Sequence, residues 1–320
     1  MNKCKVGIVG AAGYTAGELL RLLIHHPGVE ISWVQSQSCD GLMIAEVHKD
    51  LTGEISMNFQ NEPDMSVPDT IFLCKGHSES AIYVKDHPEV LGKKIIDLSQ
   101  DFRHHSDFVY GLPEINREKI RSARHVANPG CFATSIQLAL IPAIDTGSFS
   151  NNITVSGITG STGAGQKVTP TSHFSWRSNN ASVYKALEHQ HIPEVLKTFS
   201  NLSSGEISVD FIPYRGAVTR GIITTSVFQT SAKESELFEK YTSFYKSHPF
   251  THVSSINPDL KMVVNTNKCV LHPRVINGKA VVISVIDNLL KGASGQAVQN
   301  MNLMNNWNES DGLNLKSTFF

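Results

Sequence analysis

One of the five cysteines lies where a thiol becomes reactive. Cys131 follows Asn128-Pro129-Gly130, which separates a predicted strand at 125–127 from a predicted helix over 131–144. The positive end of a helix dipole favours the thiolate of a cysteine at the first helical position, and the thiolate is the nucleophilic form. The other four cysteines lack such a position and fit the small buried residue that a free cysteine usually is. We therefore predict that Cys131 is a catalytic nucleophile.

A histidine and a carboxylate in the segment 188–194 offer acid–base chemistry. His191 can give and take protons near neutral pH. Glu194 lies three residues further on, so in a helix over 188–199 it would share a face with His191 and orient the imidazole. His189 and His191 also have a spacing that metal sites use. Further clustered ligands are lacking in the sequence, so we predict no metal site.

Two arginines follow runs that resemble strand ends and could bind anions. Arg103 ends the run 97–103, and Arg220 lies within 211–222. A guanidinium group binds carboxylate and phosphate through two parallel hydrogen bonds. A single arginine is more often part of a surface ion pair, so spacing alone leaves both roles open.

A glycine-rich turn near the start of the chain is typical of dinucleotide binding. The turn is Gly10-Ala11-Ala12-Gly13-Tyr14-Thr15-Ala16-Gly17, and it separates a predicted strand at 5–9 from a predicted helix at 18–24. Glycines let the backbone turn tightly and approach a pyrophosphate at the helix N-terminus. The spacing departs from G-x-G-x-x-G, but the strand–turn–helix context favours a cofactor site. The cofactor-binding candidates are Gly10, Ala12, Gly13, Tyr14 and Thr15.

The end of the second predicted strand, 29–34, bears on the choice of cofactor. An acidic residue at this place usually binds the ribose 2′-hydroxyl of NAD, but the chain reads Gln35-Ser36-Gln37-Ser38-Cys39-Asp40. Ser36 and Ser38 could donate hydrogen bonds to a 2′-phosphate, so we predict NADP. The alternative is a polar loop exposed to solvent, and Asp40 lies too far along the chain to decide between them.

The predicted elements that position these residues change character part-way along the chain. Short apolar strands alternate with helices up to about residue 144, which predicts a parallel sheet covered on both faces. After the polar stretch 145–152 come longer strands at 153–159, 207–213, 221–229, 261–264 and 279–287, with helices at 188–199, 231–246 and 292–307. We therefore predict an α/β Rossmann-type NAD(P)-binding domain followed by an α+β domain.

Composition excludes several classes of function. The chain has 320 residues, and its 28 basic and 29 acidic side chains give a net charge of −1, which lacks the basic excess of a nucleic-acid-binding protein. The stretch 125–144 lacks Asp, Glu, Lys and Arg, but it contains prolines, glycine and polar residues, so we predict no membrane span. Five scattered cysteines without a C-x-x-C pair indicate free thiols in a reducing cytoplasm.

Several motifs together make a family resemblance recognisable. The chain resembles the N-acetyl-γ-glutamyl-phosphate reductase family, relatives of aspartate-semialdehyde dehydrogenase, over nearly its whole length. The most specific segment runs from Ile286 to Asn302. The other matching segments are 10–19, 97–103, 110–114, 128–134, 156–167, 189–194 and 220–222.

This resemblance implies an activity and a set of roles. It implies NADPH-dependent reduction of an acyl-phosphate substrate through a thioester on Cys131, with His191 as the acid–base group and Glu194 beside it. Two arginines and one amide would bind the substrate: Arg103 its phosphate, Arg220 its carboxylate, with Asn128 beside them. Gly163 and Asn288 would lie near the nicotinamide. The C-terminal helix would pack on the first domain, which gives a cofactor domain at 1–149 and 290–320 and a catalytic and oligomerisation domain at 150–289, in a homodimer or homotetramer.

Departures from the family pattern leave some points open. Phe132-Ala133 replaces the usual Tyr-Pro after the cysteine, Gln190 and Gln166 replace frequent arginines, and Gln37 replaces an arginine common after the second strand. The acyl group on the substrate nitrogen is not fixed; N-acetyl is the default, and N-succinyl or a carrier-linked amine is an alternative. Aspartyl-phosphate reduction and a non-enzymatic, NADP-binding redox regulator are the competing functions.

Overall fold

The computed structural model describes residues 3–144, 151–203 and 205–319. The chain forms two compact units, each with its own sheet. The first comprises Met1–Gly130 and Ala293–Asn314, and the second Cys131–Gly292 and Leu315–Phe320. Among the described residues, no helix is long and apolar enough to cross a membrane.

The strands and helices have the following bounds. The strands are β1 (Cys4–Val9), β2 (Val29–Gln35), β3 (Thr70–Leu73), β4 (Lys94–Asp97), β5 (Val109–Tyr110), β6 (His125–Ala127), β7 (Asn152–Thr159), β8 (Ser182–Val183), β9 (Ser208–Arg215), β10 (Ile222–Gln229), β11 (Thr251–Val253), β12 (Cys269–Ile276) and β13 (Lys279–Ile286). The helices are α1 (Tyr14–Leu23), α2 (Ile44–Val47), α3 (Glu79–Asp86), α4 (Pro113–Ser122), α5 (Cys131–Ile144), α6 (Phe174–Arg177), α7 (Ile192–Ser200), α8 (Glu234–Tyr245) and α9 (Ser294–Met304). Short 3-10 helices are Lys49–Leu51, Pro88–Gly92, Ser161–Ala164 and Leu260–Met262.

The first unit is built on a parallel sheet in the order β2-β1-β3-β4-β6-β5. Its strands are short and almost wholly apolar because both faces are buried, and all four residues of β3 are buried. The carboxyl ends of β1, β3 and β4 therefore meet at one edge, where ligands of such sheets bind.

The C-terminal helix α9 belongs to this first unit and packs on α1 and α4. It is buried along its whole length although it is rich in amides. Several of its polar groups are hydrogen-bonded to the unit: Asn302 Oδ1 lies 2.9 Å from the His26 ring nitrogen, and Lys94 Nζ donates to the Met304 carbonyl at 2.8 Å. The side-chain amide of Gln296 is an exception, because it has no hydrogen-bond partner among the described residues. A wholly buried helix needs such partners because an unsatisfied buried amide is costly.

The second unit contains a mixed sheet in the order β11-β12-β13-β10-β7-β9-β8. Most neighbours run antiparallel, while β7 with β9 and β11 with β12 run parallel. The apolar helix α5 packs on β10 and β13 and between α7 and α8. Pro142 lacks an N–H to bond the carbonyl of Leu138, and the hydroxyl of Tyr245 donates to that carbonyl instead, at 2.6 Å.

Three expectations differ from the structure. The strand predicted at 261–264 is wrong; this segment contains the 3-10 helix Leu260–Met262. The strand β12 was not predicted because Pro273 interrupts its pattern, and the proline is tolerated since β11 pairs only with 269–271 and ends before it. The helix predicted at 188–199 begins at Ile192, so the two preceding histidines lie outside it.

The division into units also differs from the predicted boundary at 149/150. The helix α5 lies wholly in the second unit because its apolar surface covers that unit's sheet and helices. The first unit resumes at Ala293 rather than at 290, and Leu315–Phe320 belong to the second. The residues 145–150 around the predicted boundary lie outside the described residues.

Candidate active site

The glycine turn of the first unit has the geometry of a phosphate cradle. Gly10 has φ +73°, and a Cβ there would lie 2.9 Å from the Cys74 carbonyl oxygen, so only glycine fits. Gly13 is the N-cap of α1, and a Cβ built on it would meet open space. Tyr14 and Thr15 begin the helix, where backbone N–H groups have no partner within the helix. The cradle therefore fits the pyrophosphate of a dinucleotide.

Side chains that the sequence did not single out hold this turn in place. The Gly10 N–H donates to Gln35 Oε1 at 3.3 Å, and the Ala11 N–H donates to the Gln35 carbonyl at 2.8 Å. A His48 ring nitrogen lies 2.8 Å from the Ala11 carbonyl. The ring also fills the space beside Gly17, where a Cβ would lie 2.7 Å from it. Ala12 lies between these fixed points and the helix.

The two predicted serines lie directly after β2. Ser36 is buried, and its hydroxyl lies 3.4 Å from that of Ser38, which is exposed. Asp40 accepts a hydrogen bond from the Asn61 N–H at 2.9 Å. Two hydroxyls thus stand where NAD-binding folds usually carry a carboxylate.

Arg103 and Asn128 come together at the carboxyl end of the parallel sheet. Arg103 is buried, and its Nε donates to the Asn128 carbonyl at 3.0 Å. The Asn128 side chain donates to Ala293 O at 3.0 Å and accepts from Asn300 at 3.1 Å, so it ties the end of β6 to α9. Burial raises the pKa of the neighbouring Asp97 to about 6. The predicted substrate roles of Arg103 and Asn128 stay predictions.

Cys131 is the first residue of α5 in the second unit and is half-buried. The chain passes so close at Gly292 that a Cβ there would lie 2.8 Å from the Cys131 Cβ. Burial raises the pKa of the Cys4 and Cys74 thiols, which lowers the fraction of each that is present as the nucleophilic thiolate. The helix dipole acts in the opposite direction at Cys131.

Aromatic and histidine rings form a cluster beside the start of α5. Phe132, next to the cysteine, packs edge-on against His189 with ring centroids 5.6 Å apart. His189 lies 4.8 Å from the His191 ring and 5.7 Å from the Tyr184 ring. Burial, together with the charge of Cys131, raises the pKa of Tyr184 to about 12. Phe132 follows Cys131 directly, so these contacts bring Cys131 and both histidines into one region of the unit.

The environment of His189 shifts its protonation equilibrium. Burial, then Lys185 and Arg215, lower the pKa of His189 to about 4, so its imidazole is neutral at neutral pH. Its Nδ1 accepts the His191 N–H at 3.3 Å. His191 is the buried N-cap of α7, and Glu194 is buried in the first turn of that helix. Both histidines precede the helix instead of lying within it, and Pro193 in the first turn is the sequence signal for this later start.

Arg220 has a partner that the sequence did not reveal. Its Nε and one terminal nitrogen donate to the two oxygens of Asp287, at 3.1 and 3.3 Å, and Asp287 is fully buried. Next to it, Asn288 Oδ1 accepts the Gly221 N–H at 2.7 Å, and its amide donates to Thr162 at 3.0 Å. Asn288 thus fixes the loop that contains Gly163.

Comparison with known proteins agrees with this layout. Residues 5–123 match the family model "Semialdehyde dehydrogenase, NAD binding domain", and residues 131–288 match "Semialdehyde dehydrogenase, dimerisation domain". The N-acetyl-γ-glutamyl-phosphate reductase of Bacteroides fragilis is 51% identical, that of Bacteroides thetaiotaomicron 49%, and that of Christiangramia forsetii 45%, each over 99% of both chains.

The chain belongs to the N-acetyl-γ-glutamyl-phosphate reductase family. The resemblance and the fold class predicted from the sequence are thereby confirmed. Aspartate semialdehyde dehydrogenase II of Vibrio cholerae has the same fold, with a TM-score of 0.78 at 19% identity over 96% of this chain and 99% of that one. The Candida albicans enzyme, solved with NADP, gives 0.73 at 13% identity over 95% and 99%. Membership of this family makes the chain an NAD(P)-dependent oxidoreductase of the semialdehyde dehydrogenase type.

Proposed function

We propose that the chain reduces N-acetyl-γ-glutamyl phosphate to N-acetylglutamate 5-semialdehyde and phosphate in arginine biosynthesis, through a thioester on Cys131. The observation that carries this proposal is the position of Cys131 at the start of α5, beside the cluster that contains His191. The names of its relatives, at up to 51% identity over nearly the whole chain, support the choice of substrate.

The thiolate of Cys131 attacks the acyl carbonyl, the carbon–oxygen bond to phosphate breaks, and a thioester remains. Bound NADPH supplies the hydride that reduces this carbonyl. His191 donates a proton to the oxygen that becomes negative and takes it back when the thiohemiacetal collapses to aldehyde and thiolate. Glu194, in the first turn of α7, would orient His191. Arg103 would bind the phosphate group, with Asn128 holding the arginine through its carbonyl.

We propose NADP as the preferred cofactor. The turn from Gly10 to Thr15 would hold its pyrophosphate, and Ser36 with Ser38 would donate to the 2′-phosphate. In the second unit, Gly163 and Asn288 would contact the nicotinamide. We also propose that the chain assembles through its second unit into a homodimer or homotetramer, because residues 131–288 match a dimerisation domain. We propose further that the enzyme works in the reducing cytoplasm, where scattered cysteines stay as thiols. Sedimentation at micromolar concentration tests the oligomeric state.

The test of the mechanism is the Cys131→Ser variant in the reverse direction. We expect wild type to reduce NADP in the presence of phosphate and N-acetylglutamate semialdehyde, and Cys131→Ser to be inactive while binding NADPH normally. Cys269→Ser is the matched control and should keep full activity, because this thiol lies in β12, 3.5 Å from the Ser284 hydroxyl, and has no role in the proposed site. Substantial turnover by pure Cys131→Ser would exclude the thioester. Faster oxidation of aspartate semialdehyde would favour the competing substrate, and NADPH binding without any turnover would favour a redox regulator.

A further inference from the structure

Arg215 is the last residue of β9 and has an unusual environment for a cation. Its guanidinium group lies over the ring of Tyr184, 4.6 Å from the centroid. Its Nε is buried and, within the described ranges, donates to no acceptor. No carboxylate of those ranges forms an ion pair with it. A partly buried cation without a counter-ion is costly, which favours an anionic ligand.

The other arginines of the second unit are already engaged. Arg220 is held by the buried Asp287, and Arg274 pairs with Glu234 at the surface. Arg177 donates to backbone carbonyls, among them that of Arg215 at 2.6 Å. Arg177 has no carboxylate partner among the described residues either, but carbonyl oxygens accept from its guanidinium. Arg215 therefore differs from the other three because its Nε is left without an acceptor in the described part of the chain.

Arg215 also belongs to the cluster beside the nucleophile. Strand β8 pairs with the end of β9, with Ser182 opposite Arg215, and Tyr184 follows directly after β8. The Tyr184 ring touches His189, which touches His191. The Tyr184 ring therefore lies between the Arg215 guanidinium and the histidine pair, 4.6 Å from the guanidinium and 5.7 Å from the His189 ring.

We propose that Arg215, with Tyr184 behind it, forms a carboxylate-binding subsite for the substrate. The planar fork of an arginine matches a carboxylate, and the aromatic ring holds the fork in one orientation. The proposal rests on the proposed function and gives Arg215 the role that family resemblance assigned to Arg220. The carboxylate is the α-carboxylate of glutamate or the terminal carboxylate of a dicarboxylic N-acyl group such as succinyl.

The test compares Arg215→Gln, Arg215→Lys and wild type on three aldehydes, with phosphate and NADP. The aldehydes are N-acetylglutamate semialdehyde, its N-succinyl analogue, and 4-acetamidobutanal, which lacks the α-carboxylate. We expect Arg215→Gln to raise KM for the first about 10- to 100-fold, the size of a hydrogen bond to a charged group, with a smaller change in kcat. With 4-acetamidobutanal the variant and wild type should have equal kcat/KM. Arg274→Gln, the matched surface control, should leave all three unchanged.

The outcomes separate the two sources of the carboxylate and the two proposals. A loss confined to the N-succinyl substrate assigns the subsite to the acyl group, and a loss with both glutamate derivatives assigns it to the α-carboxylate. Equal losses with 4-acetamidobutanal, or no loss at all, would overturn the proposal. If Arg215→Gln does not fold, Arg215→Lys serves as the test variant, because lysine keeps the positive charge but lacks the planar guanidinium that binds a carboxylate through two hydrogen bonds. Wild type that oxidises neither glutamate derivative would refute the proposed function instead.

Discussion

The buried Asp287 should be a main determinant of the stability of the second unit. Its carboxylate accepts five hydrogen bonds, two of them from Arg220 and three from backbone N–H groups. The backbone donors are those of Asn265, Leu289 and Leu290, at 2.7, 2.8 and 3.2 Å. One side chain therefore joins the loop before β12, the segment after β13 and the arginine that precedes β10.

Asp287→Ala removes this acceptor and leaves a cation and several N–H groups unsatisfied. Removing one partner of a buried ion pair costs about 3–5 kcal/mol. Arg220 keeps 15% of its side-chain exposure, so water compensates part of the loss and we expect about 3 kcal/mol. For a unit of this size, that loss lowers Tm by about 6–12 °C. Replacing both partners, as Arg220→Met with Asp287→Leu, should cost less than the sum of the two single changes.

Calorimetry and urea unfolding of the full-length protein measure these differences. The control is Arg274→Met, which removes an exposed ion pair with Glu234 and should cost under about 1 kcal/mol. If Asp287→Ala is no more destabilising than this control, the Asp287 carboxylate does not stabilise the unit as its five hydrogen bonds indicate. If the single changes at Arg220 and Asp287 are additive, the ion pair contributes nothing specific. A large KM effect of Arg220→Met without loss of stability would support the role that the family resemblance implies for Arg220, which is to bind the substrate's carboxylate.

Three further predictions concern the proposed chemistry. His191→Ala should lower kcat about 10²–10⁴-fold, and Glu194→Gln should lower it less and move the histidine limb of the pH–rate profile to lower pH. Ser36→Asp should reduce the ratio of kcat/KM for NADP over NAD. Because His189 is buried in its neutral form, the free energy of unfolding should fall by about 3 kcal/mol as the pH is lowered from 6.5 to 4. In this range the imidazole of the unfolded chain binds a proton and that of the folded chain does not. Urea unfolding of wild type and His189→Asn at several pH values measures this difference.

Each of these has a contrary outcome. If replacing His189 lowers kcat more than replacing His191, the proton transfer has been assigned to the wrong histidine. If Glu194→Gln leaves the pH–rate profile unchanged, the Glu194 carboxylate is structural. Equal use of NAD and NADP by wild type would contradict the role of Ser36. Parallel pH–stability curves for wild type and His189→Asn would show that His189 is not the titrating group.

The local part of this structure could be predicted from the sequence. Alternating apolar strands and helices gave the parallel sheet, and Asn128-Pro129-Gly130 marked the start of α5. The glycines predicted the turn after β1, because the backbone there needs a conformation that other residues rarely adopt, such as the φ of +73° at Gly10. The strand β12 could not be predicted because Pro273 lies within it, and a proline argues against a central strand. The proline is tolerated because the neighbouring strand β11 is short and pairs only with residues 269–271. Local pattern therefore located Cys131 and the cofactor turn, but not the whole second sheet.

Contacts between distant residues could not be predicted in this way. Arg220 and Asp287 are 67 residues apart, and the residues around neither of them predict their ion pair. The ring cluster joins Phe132, Tyr184 and His189 from three separate segments. A single arginine looks the same in sequence whether a carboxylate holds it or none does, so the distinction between Arg220 and Arg215 needed the folded chain.

The same surroundings decide which histidine can transfer the proton. The cations near His189, Lys185 and Arg215, oppose a third positive charge and, with burial, hold its pKa at about 4. An imidazole with that pKa is a weak base at neutral pH, and its Nδ1 already accepts the His191 N–H. The cationic field that keeps His189 neutral also favours an anion beside it, either the Cys131 thiolate or a substrate carboxylate. We therefore expect His191 to be the proton carrier of the pair and His189 to be the neutral ring that positions it.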